Sequence, residues 1–294
     1  MPEPFPTCWL NGSYLPLAEA RISPLDRGFL FADGVYEVVP VHRGRPFRMR
    51  QHLERLERSL AEIRIRNPLS RADWLEVSTK LVAAARQPEL LVYMQVTRGA
   101  EYGRNHPFPP EGVAPTTFAF ASPYPAPTAD VLDRGLAAVT LEDTRWARCD
   151  IKSIALLANV LLRQEALERG GAEAILVRDG LVTEGSSSTV FLLRDGRLAT
   201  PPNDCRVLPG TSRDAVLELT SGWLETEIRS IGEDELRFAS ELWIASAGRG
   251  VLPVTTIDGH PVGAGVPGQA WRRMYARLQQ HLDEIAGVPA LEDA

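Results

Sequence analysis

Residues 147–162 read ARCDIKSIALLANVLL, and Lys152 stands where polar residues give way to an apolar run. The run predicts a helix over 153–169, closed by Gly170-Gly171. An ammonium at such a strand-to-helix transition carries a desolvation cost unless it is paired or deprotonated. Two readings stand: a salt bridge, for instance to Asp150, with the alkyl stem in the core, or an amine nucleophile made reactive by desolvation. Composition sharpens the choice, because among 32 Lys and Arg only Lys80 and Lys152 are lysines. Arginine can fill generic surface roles but cannot act as an amine nucleophile. Lys80 lies one turn from Glu76 on a predicted helix over 71–87 and suits an exposed i,i+4 pair. Lys152 needs an explanation of its own.

Outward from Lys152 toward the N-terminus, the chain reads as short strands and two helices. Strands at 7–10 and 35–41 meet the turns Asn11-Gly12 and Arg43-Gly44, and further strands are expected at 90–97 and 116–121. Leu53, Leu56, Leu60 and Ile63 recur at helical spacing over 51–64. The proline-rich stretch 122–128 cannot hold a regular helix or a central strand and marks a domain boundary. The division is a small N-terminal α/β domain over 1–122, a linker over 123–132 and a larger strand-rich domain over 133–294. In the latter, a strand is expected at 135–140, and Asp179-Gly180 and Asp195-Gly196 separate strands as hairpin turns. Further helices are expected at 212–221, 232–239 and 267–285. The pattern is two α/β domains with a crevice available between them.

The 294 residues are 44% hydrophobic and 24% charged, a globular composition rather than a disordered one. A net charge of -6 without a long basic block argues against nucleic acid and against anionic membranes. The most apolar stretch, 154–162, is far short of a membrane span, and the N-terminus has no targeting core. Cys8, Cys149 and Cys205 form no disulfide framework, which favours a reducing cytoplasm. The five histidines show no tight ligand grouping, so no metal is expected.

Downstream of Lys152, Glu184 precedes the small-residue loop Gly185-Ser186-Ser187-Ser188, which can admit a ligand close to backbone and hydroxyl donors. In Leu208-Pro209-Gly210-Thr211-Ser212-Arg213, Gly210 allows a tight turn and Thr211 and Ser212 open a helix whose free donors suit a phosphate. Taken alone, the first is an ordinary serine-rich turn and the second an ordinary capped helix. A reactive lysine, a carboxylate and a phosphate cradle together point to pyridoxal 5'-phosphate better than any one of them does alone. Glu184 would keep its pyridine nitrogen protonated. No GxGxxG or Walker sequence favours a nucleotide instead.

The chain resembles the fold-type IV pyridoxal-phosphate enzymes, and within them most closely the bacterial D-amino-acid transaminases. The resemblance is carried by DRGFLFADGVYEVV (26–39), HLERL (52–56), VTRG (96–99), RCDIKS (148–153), TEGSSSTVF (183–191) and LPGTSRD (208–214). It implies that Lys152 carries the cofactor and moves the proton, and that Glu184 holds the pyridine nitrogen. Arg55, expected on the polar side of its helix, would reach the phosphate with Thr211 and Ser212, while Leu208 packs against the ring. Ser187 and the backbone of Ala247 complete the cofactor set. Tyr36, Arg104 and His106 would hold the substrate carboxylate, the last two from a partner subunit, which implies a homodimer. Arg98 is expected to be structural.

Two departures stand out. The loop AEYGRNH (100–106) is one residue longer before Arg104 than the pattern implies. Ser246-Ala247-Gly248-Arg249 lacks the usual second phosphate-binding threonine and adds Arg249, either a site for a distal carboxylate or a surface arginine beside a flexible turn. The implied activity is transfer of the amino group of D-alanine or related D-amino acids to 2-oxoglutarate in two half-reactions. Alternatives are an (R)-selective amine transaminase, a branched-chain L-amino-acid transaminase, an aminodeoxychorismate lyase or, outside catalysis, a soluble binding module.

Overall fold

The computed structural model describes residues 3–101 and 103–285. Their contacts form two compact units. The first runs to Pro125 and takes back Ile151–Ala155; the second comprises Ala126–Asp150 and Leu156–Glu284.

In the first unit, β1 (Thr7–Leu10), β2 (Ser13–Pro16), α1 (Arg27–Phe31), β3 (Gly34–His42), β4 (Arg45–Pro46), α2 (Met49–Glu62), α3 (Arg71–Ala85), β5 (Leu90–Thr97) and β6 (Thr116–Pro123) follow in order. The strands form an antiparallel sheet ordered β2-β1-β6-β5-β3-β4. Alternation decides its faces. Leu90, Val92, Met94 and Val96 of β5 are buried with Val35, Val39 and Val41 of β3, joined by Leu53, Leu56 and Leu60 of α2 and Trp74 and Leu81 of α3. Each such leucine contributes about 1.5–3 kcal/mol by leaving water. Aromatic rings run through strand residues of the alternate phase, from Tyr36 to Tyr93 (5.6 Å between centroids) and from Tyr93 to Phe120 (5.1 Å). Strand β6 extends through Ser122 and Pro123, paired with Leu91 and Leu90. Proline is tolerated there because β1 pairs with β6 only as far as Phe120.

Strand β4 pairs with β3 only at Val41 and His42, so the other end of β3 is an open edge. Residues 151–155 fill it. The Tyr36 N–H donates to the Lys152 carbonyl (3.0 Å), the Ile154 N–H donates to the Gly34 carbonyl (3.1 Å), and Ser153 bridges Val35. This extended pairing explains why the helix expected from 153 begins only at Leu157.

In the second unit, α4 (Ala129–Arg134), β7 (Leu136–Glu142), α5 (Leu157–Glu168), β8 (Glu173–Arg178), β9 (Leu181–Gly185), β10 (Thr189–Arg194), β11 (Arg197–Thr200), α6 (Thr211–Thr220), β12 (Glu225–Ile228), β13 (Glu241–Ser246), β14 (Gly250–Ile257), β15 (His260–Pro261) and α7 (Gln269–Glu284) follow. The 9-stranded sheet runs β12-β11-β10-β13-β14-β7-β8-β9, with β15 beside β14. It is largely antiparallel, with parallel pairs β11/β12, β14/β7 and β7/β8. Asp179-Gly180, Asp195-Gly196 and Asp258-Gly259 each turn a hairpin with positive φ at both residues, which asparagine, aspartate and glycine tolerate best. Leu162 and Ala166 of α5 pack on Val139, Leu141, Ala174 and Leu176 of β7 and β8. The segment expected as a helix over 232–239 is a 3-10 helix, Glu233–Phe238.

Candidate active site

Strand β3 places one charge among its inward valines. Glu37 is fully buried, and a carboxylate there is tolerable only when paired. Helix α2 supplies the partners. Arg55 donates from Nε and Nη2 to the two Glu37 oxygens (2.7 and 2.8 Å), and His52 Nδ1 lies 2.7 Å from Oε2. Arg55 is therefore on the buried side of α2 rather than its polar side; Glu37 is the reason. Burial opposes ionisation of Glu37, yet Arg55 and His52 hold its carboxyl far below the usual carboxylate range. Burial also lowers the His52 imidazole, against the pull of Glu37.

Lys152 belongs to this unit. Its N–H donates to Ser59 Oγ (3.3 Å), and Nζ lies 4.2 Å from the centre of the Tyr36 ring. Asp150, the salt-bridge candidate, takes a two-point contact from Arg148 at 3.0 and 3.0 Å. The ring of Tyr36 thus provides an electron-rich face for the amine.

Arg104 and His106 converge on Phe31 of α1, with the guanidinium 4.9 Å and the imidazole 5.4 Å from that ring. Both side chains are exposed in the single chain. Tyr102, in the same loop, lies outside the described residues. Arg98 has the structural role expected of it, donating twice to Asp33 (2.8 and 2.9 Å) and to the Ile63 carbonyl (2.7 Å), with Phe108 stacked at 3.8 Å.

In the second unit, Glu184 is buried at the end of β9. Arg145 Nη1 donates to its Oε1, and the Leu208 N–H donates to Oε2 (3.1 Å). Arg145 is fixed in turn by Asp143, through Nε and Nη2 at 2.8 and 2.9 Å. Asp143 also accepts from Thr183 Oγ1 (2.9 Å) and pairs with Arg178 (3.1 Å). Burial pushes the Glu184 carboxyl upward, opposed by Arg145 and the Leu208 N–H. Leu208 therefore meets Glu184 through its backbone. Nearby, burial also raises the Cys149 thiol, to about 11.

Thr211 and Ser212 open α6, as expected, after Gly210 at the N-cap. Gly210 brings no side-chain acceptor to the first-turn donors, so that end of the helix suits an anion. The serine loop has a different arrangement from that expected. Ser186, Ser187 and Ser188 all donate their hydroxyls to the fully buried Glu173, the last two at 3.5 and 3.2 Å, and of the three only Ser187 is exposed. Arg163 and Arg249 pair with the same carboxylate at 3.2 and 3.5 Å. Arg249 is thus neither a free surface arginine nor a free distal-carboxylate site. Burial and the Arg163 charge lower its pKa. Ala247 lies in the turn between β13 and β14.

Residues 34–257 match the family described as amino-transferase class IV. The chain belongs to the class IV aminotransferases. Among this aminotransferase's relatives, the D-alanine aminotransferase of Bacillus licheniformis is 38% identical over 92% of this chain and 95% of its own. That of Staphylococcus aureus strain MSSA476 is 36% identical over 94% and 97%. The Escherichia coli branched-chain amino acid aminotransferase has the same fold, with a TM-score of 0.86 over 93% of each chain, at 23% identity.

Three of the buried charges described above escaped the sequence reading. Glu37 left a signal, a charge in phase with Val35, Val39 and Val41. Arg145 and Glu173 left none, because each resembles any other charged residue until packing supplies its partners.

Proposed function

We propose that this class IV aminotransferase transfers the amino group of D-alanine and related D-amino acids to 2-oxoglutarate with pyridoxal 5'-phosphate as cofactor. The observation that carries this reading is the identity to D-alanine aminotransferases over nearly the whole chain. The donor set fits the cofactor, with a buried carboxylate oriented from two sides, a helix start without a side-chain cap and an amine seated on Tyr36. Bound pyridoxal phosphate supplies an aldehyde that carries the amino group between half-reactions and a ring that takes up the electron pair left at the substrate α-carbon.

The chain's own groups do the rest. Lys152 would hold the cofactor through Nζ and, once the substrate amino group displaces it, the freed Nζ amine would take the substrate α-proton and redeliver it. Glu184 would hold the proton at the pyridine nitrogen. Arg55, Thr211, Ser212, Ser187 and the Ala247 backbone would bind the phosphate end, and Leu208 would border the ring. Arg104 would offer a guanidinium to the α-carboxylate of the substrate bound at the partner subunit, with His106 beside it and the partner subunit's Tyr36 orienting the carboxylate.

A homodimer is part of the proposal. Leu157, Val160 and Leu161 of α5 are 73%, 60% and 61% exposed, an apolar face suited to a second copy of the chain. Val160→Glu together with Leu161→Glu is expected to yield monomers by light scattering; an unchanged dimer would place the interface elsewhere. Among the described residues, no helix is long and apolar enough to cross a membrane. The free cysteines Cys8, Cys149 and Cys205 support a cytoplasmic location.

The deciding experiment offers D-alanine, L-leucine and a carboxylate-free (R)-amine with 2-oxoglutarate, with chiral analysis of products. D-glutamate and pyruvate from D-alanine are expected. Preference for either other donor, or pyruvate release without an acceptor, overturns the assignment. Lys152→Ala is expected to abolish turnover and shift the visible absorbance of bound cofactor.

A further inference from the structure

Arg27 is the first residue of α1, yet only 4% of it is exposed. Its Nε donates to Asp33 (2.8 Å), its Nη1 to Glu101 (3.2 Å) and to the carbonyls of Asn105 (2.6 Å) and Pro107 (3.2 Å), and its Nη2 to the carbonyl of His106 (3.1 Å). One guanidinium thus ties both ends of the segment from Glu101 to Pro107. Arg104 lies between the tie points. Phe31, the ring on which Arg104 and His106 rest, is also 4.9 Å from the Arg27 guanidinium.

Consecutive carbonyls turned toward one point need a donor that fans out, and guanidinium supplies five N–H groups in a fixed plane. Asp33 fixes that plane: it accepts from Arg27 and Arg98 together, and although burial opposes it, those hydrogen bonds hold its carboxyl below the usual range. Between the tie points Gly103 takes φ of 131°, a conformation that favours glycine.

We propose that Arg27 is a positioning residue for substrate carboxylate recognition: by closing the 101–107 loop on itself it sets the placement of Arg104 and His106 without touching substrate. The proposal rests on the reading of Arg104 and His106 as the carboxylate-binding pair. It makes affinity for a carboxylate-bearing donor depend on a buried residue of α1, while cofactor binding does not.

The test is a double-mutant cycle on the cofactor-loaded enzyme, with hydrogen exchange of the 103–108 amides as a readout independent of turnover. Arg27→Met is expected to raise the D-alanine KM about tenfold with kcat within about threefold, leaving cofactor absorbance unchanged and speeding loop exchange. Arg27→Lys, which keeps the charge and loses the fan, falls between. In an Arg104→Gln, His106→Gln background, Arg27→Met adds less than about twofold, because it acts through those residues. An unchanged KM, or the same factor in both backgrounds, overturns the proposal. If Arg27→Met fails to fold, Arg27→Lys decides: wild-type KM and exchange overturn it. If Arg104→Gln, His106→Gln leaves KM unchanged, the carboxylate reading fails instead, and loop exchange in Arg27→Lys alone decides whether the tie exists.

Discussion

Arg145 and Glu184 form a buried ion pair whose guanidinium is held at two further points by Asp143. The carboxylate assigned to the pyridine nitrogen is thus the last member of a relay that starts with Arg178 and Thr183 on Asp143. Its orientation is set before any ligand arrives.

Removing one member of such a pair strands the other charge. Arg145→Met is expected to destabilise the fold by about 3–5 kcal/mol in urea denaturation. Adding Glu184→Gln should recover part of that loss, since no carboxylate is then left unpaired. Simple additivity of the two losses would show that the pair is not coupled.

Glu37 holds Arg55 in the same way from β3. Glu37→Gln keeps the shape and removes the charge, and is expected to weaken cofactor binding about tenfold through a less fixed Arg55. Fluorescence titration of the apoprotein with pyridoxal phosphate measures it. Unchanged affinity would leave Arg55 without a phosphate role that depends on its orientation.

Acid should act on this cluster in two stages. Burial lowers the His52 imidazole from its ordinary 6.5, so the unfolded chain binds that proton first as pH falls. Stability is then fully present above about 6.5 and declines toward the folded value, by up to about 1.4 kcal/mol per pH unit. Glu37, held far below its ordinary 4.5, adds a second loss below that pH. Urea denaturation from about pH 8 to about pH 2.5 should show both limbs, and His52→Asn should flatten the first.

Gly34 permits the seating of the Lys152 segment on β3. A Cβ there would lie 2.6 Å from the Val96 carbonyl oxygen and 3.1 Å from the Ile154 side chain. Gly34→Ala is expected to cost about 1–3 kcal/mol in thermal denaturation and to lower kcat by displacing residues 151–155. Wild-type stability and turnover would mean that the sheet edge yields freely.

The strands of the first unit, the hairpins at Asp179-Gly180 and Asp195-Gly196, and α2 were legible because their signals are local: alternation along a strand, aspartate and glycine at a turn, leucines three or four apart. The unusual lysine was legible too, since arginine fills nearly every other basic position. The late start of α5 was not, because residues 151–155 are drawn into extended pairing by an open edge far back in the chain.

The sequence by itself determined most of the elements and the residue types able to do amino-transfer chemistry. Tertiary structure alone decided which charges are fixed and by what. Arg55 meets Glu37 across 18 residues, Arg145 meets Glu184 across 39, and Arg27 meets Glu101 across 74. A charged residue carries no local sign of whether it faces water or a partner; only packing removes the water and makes pairing obligatory.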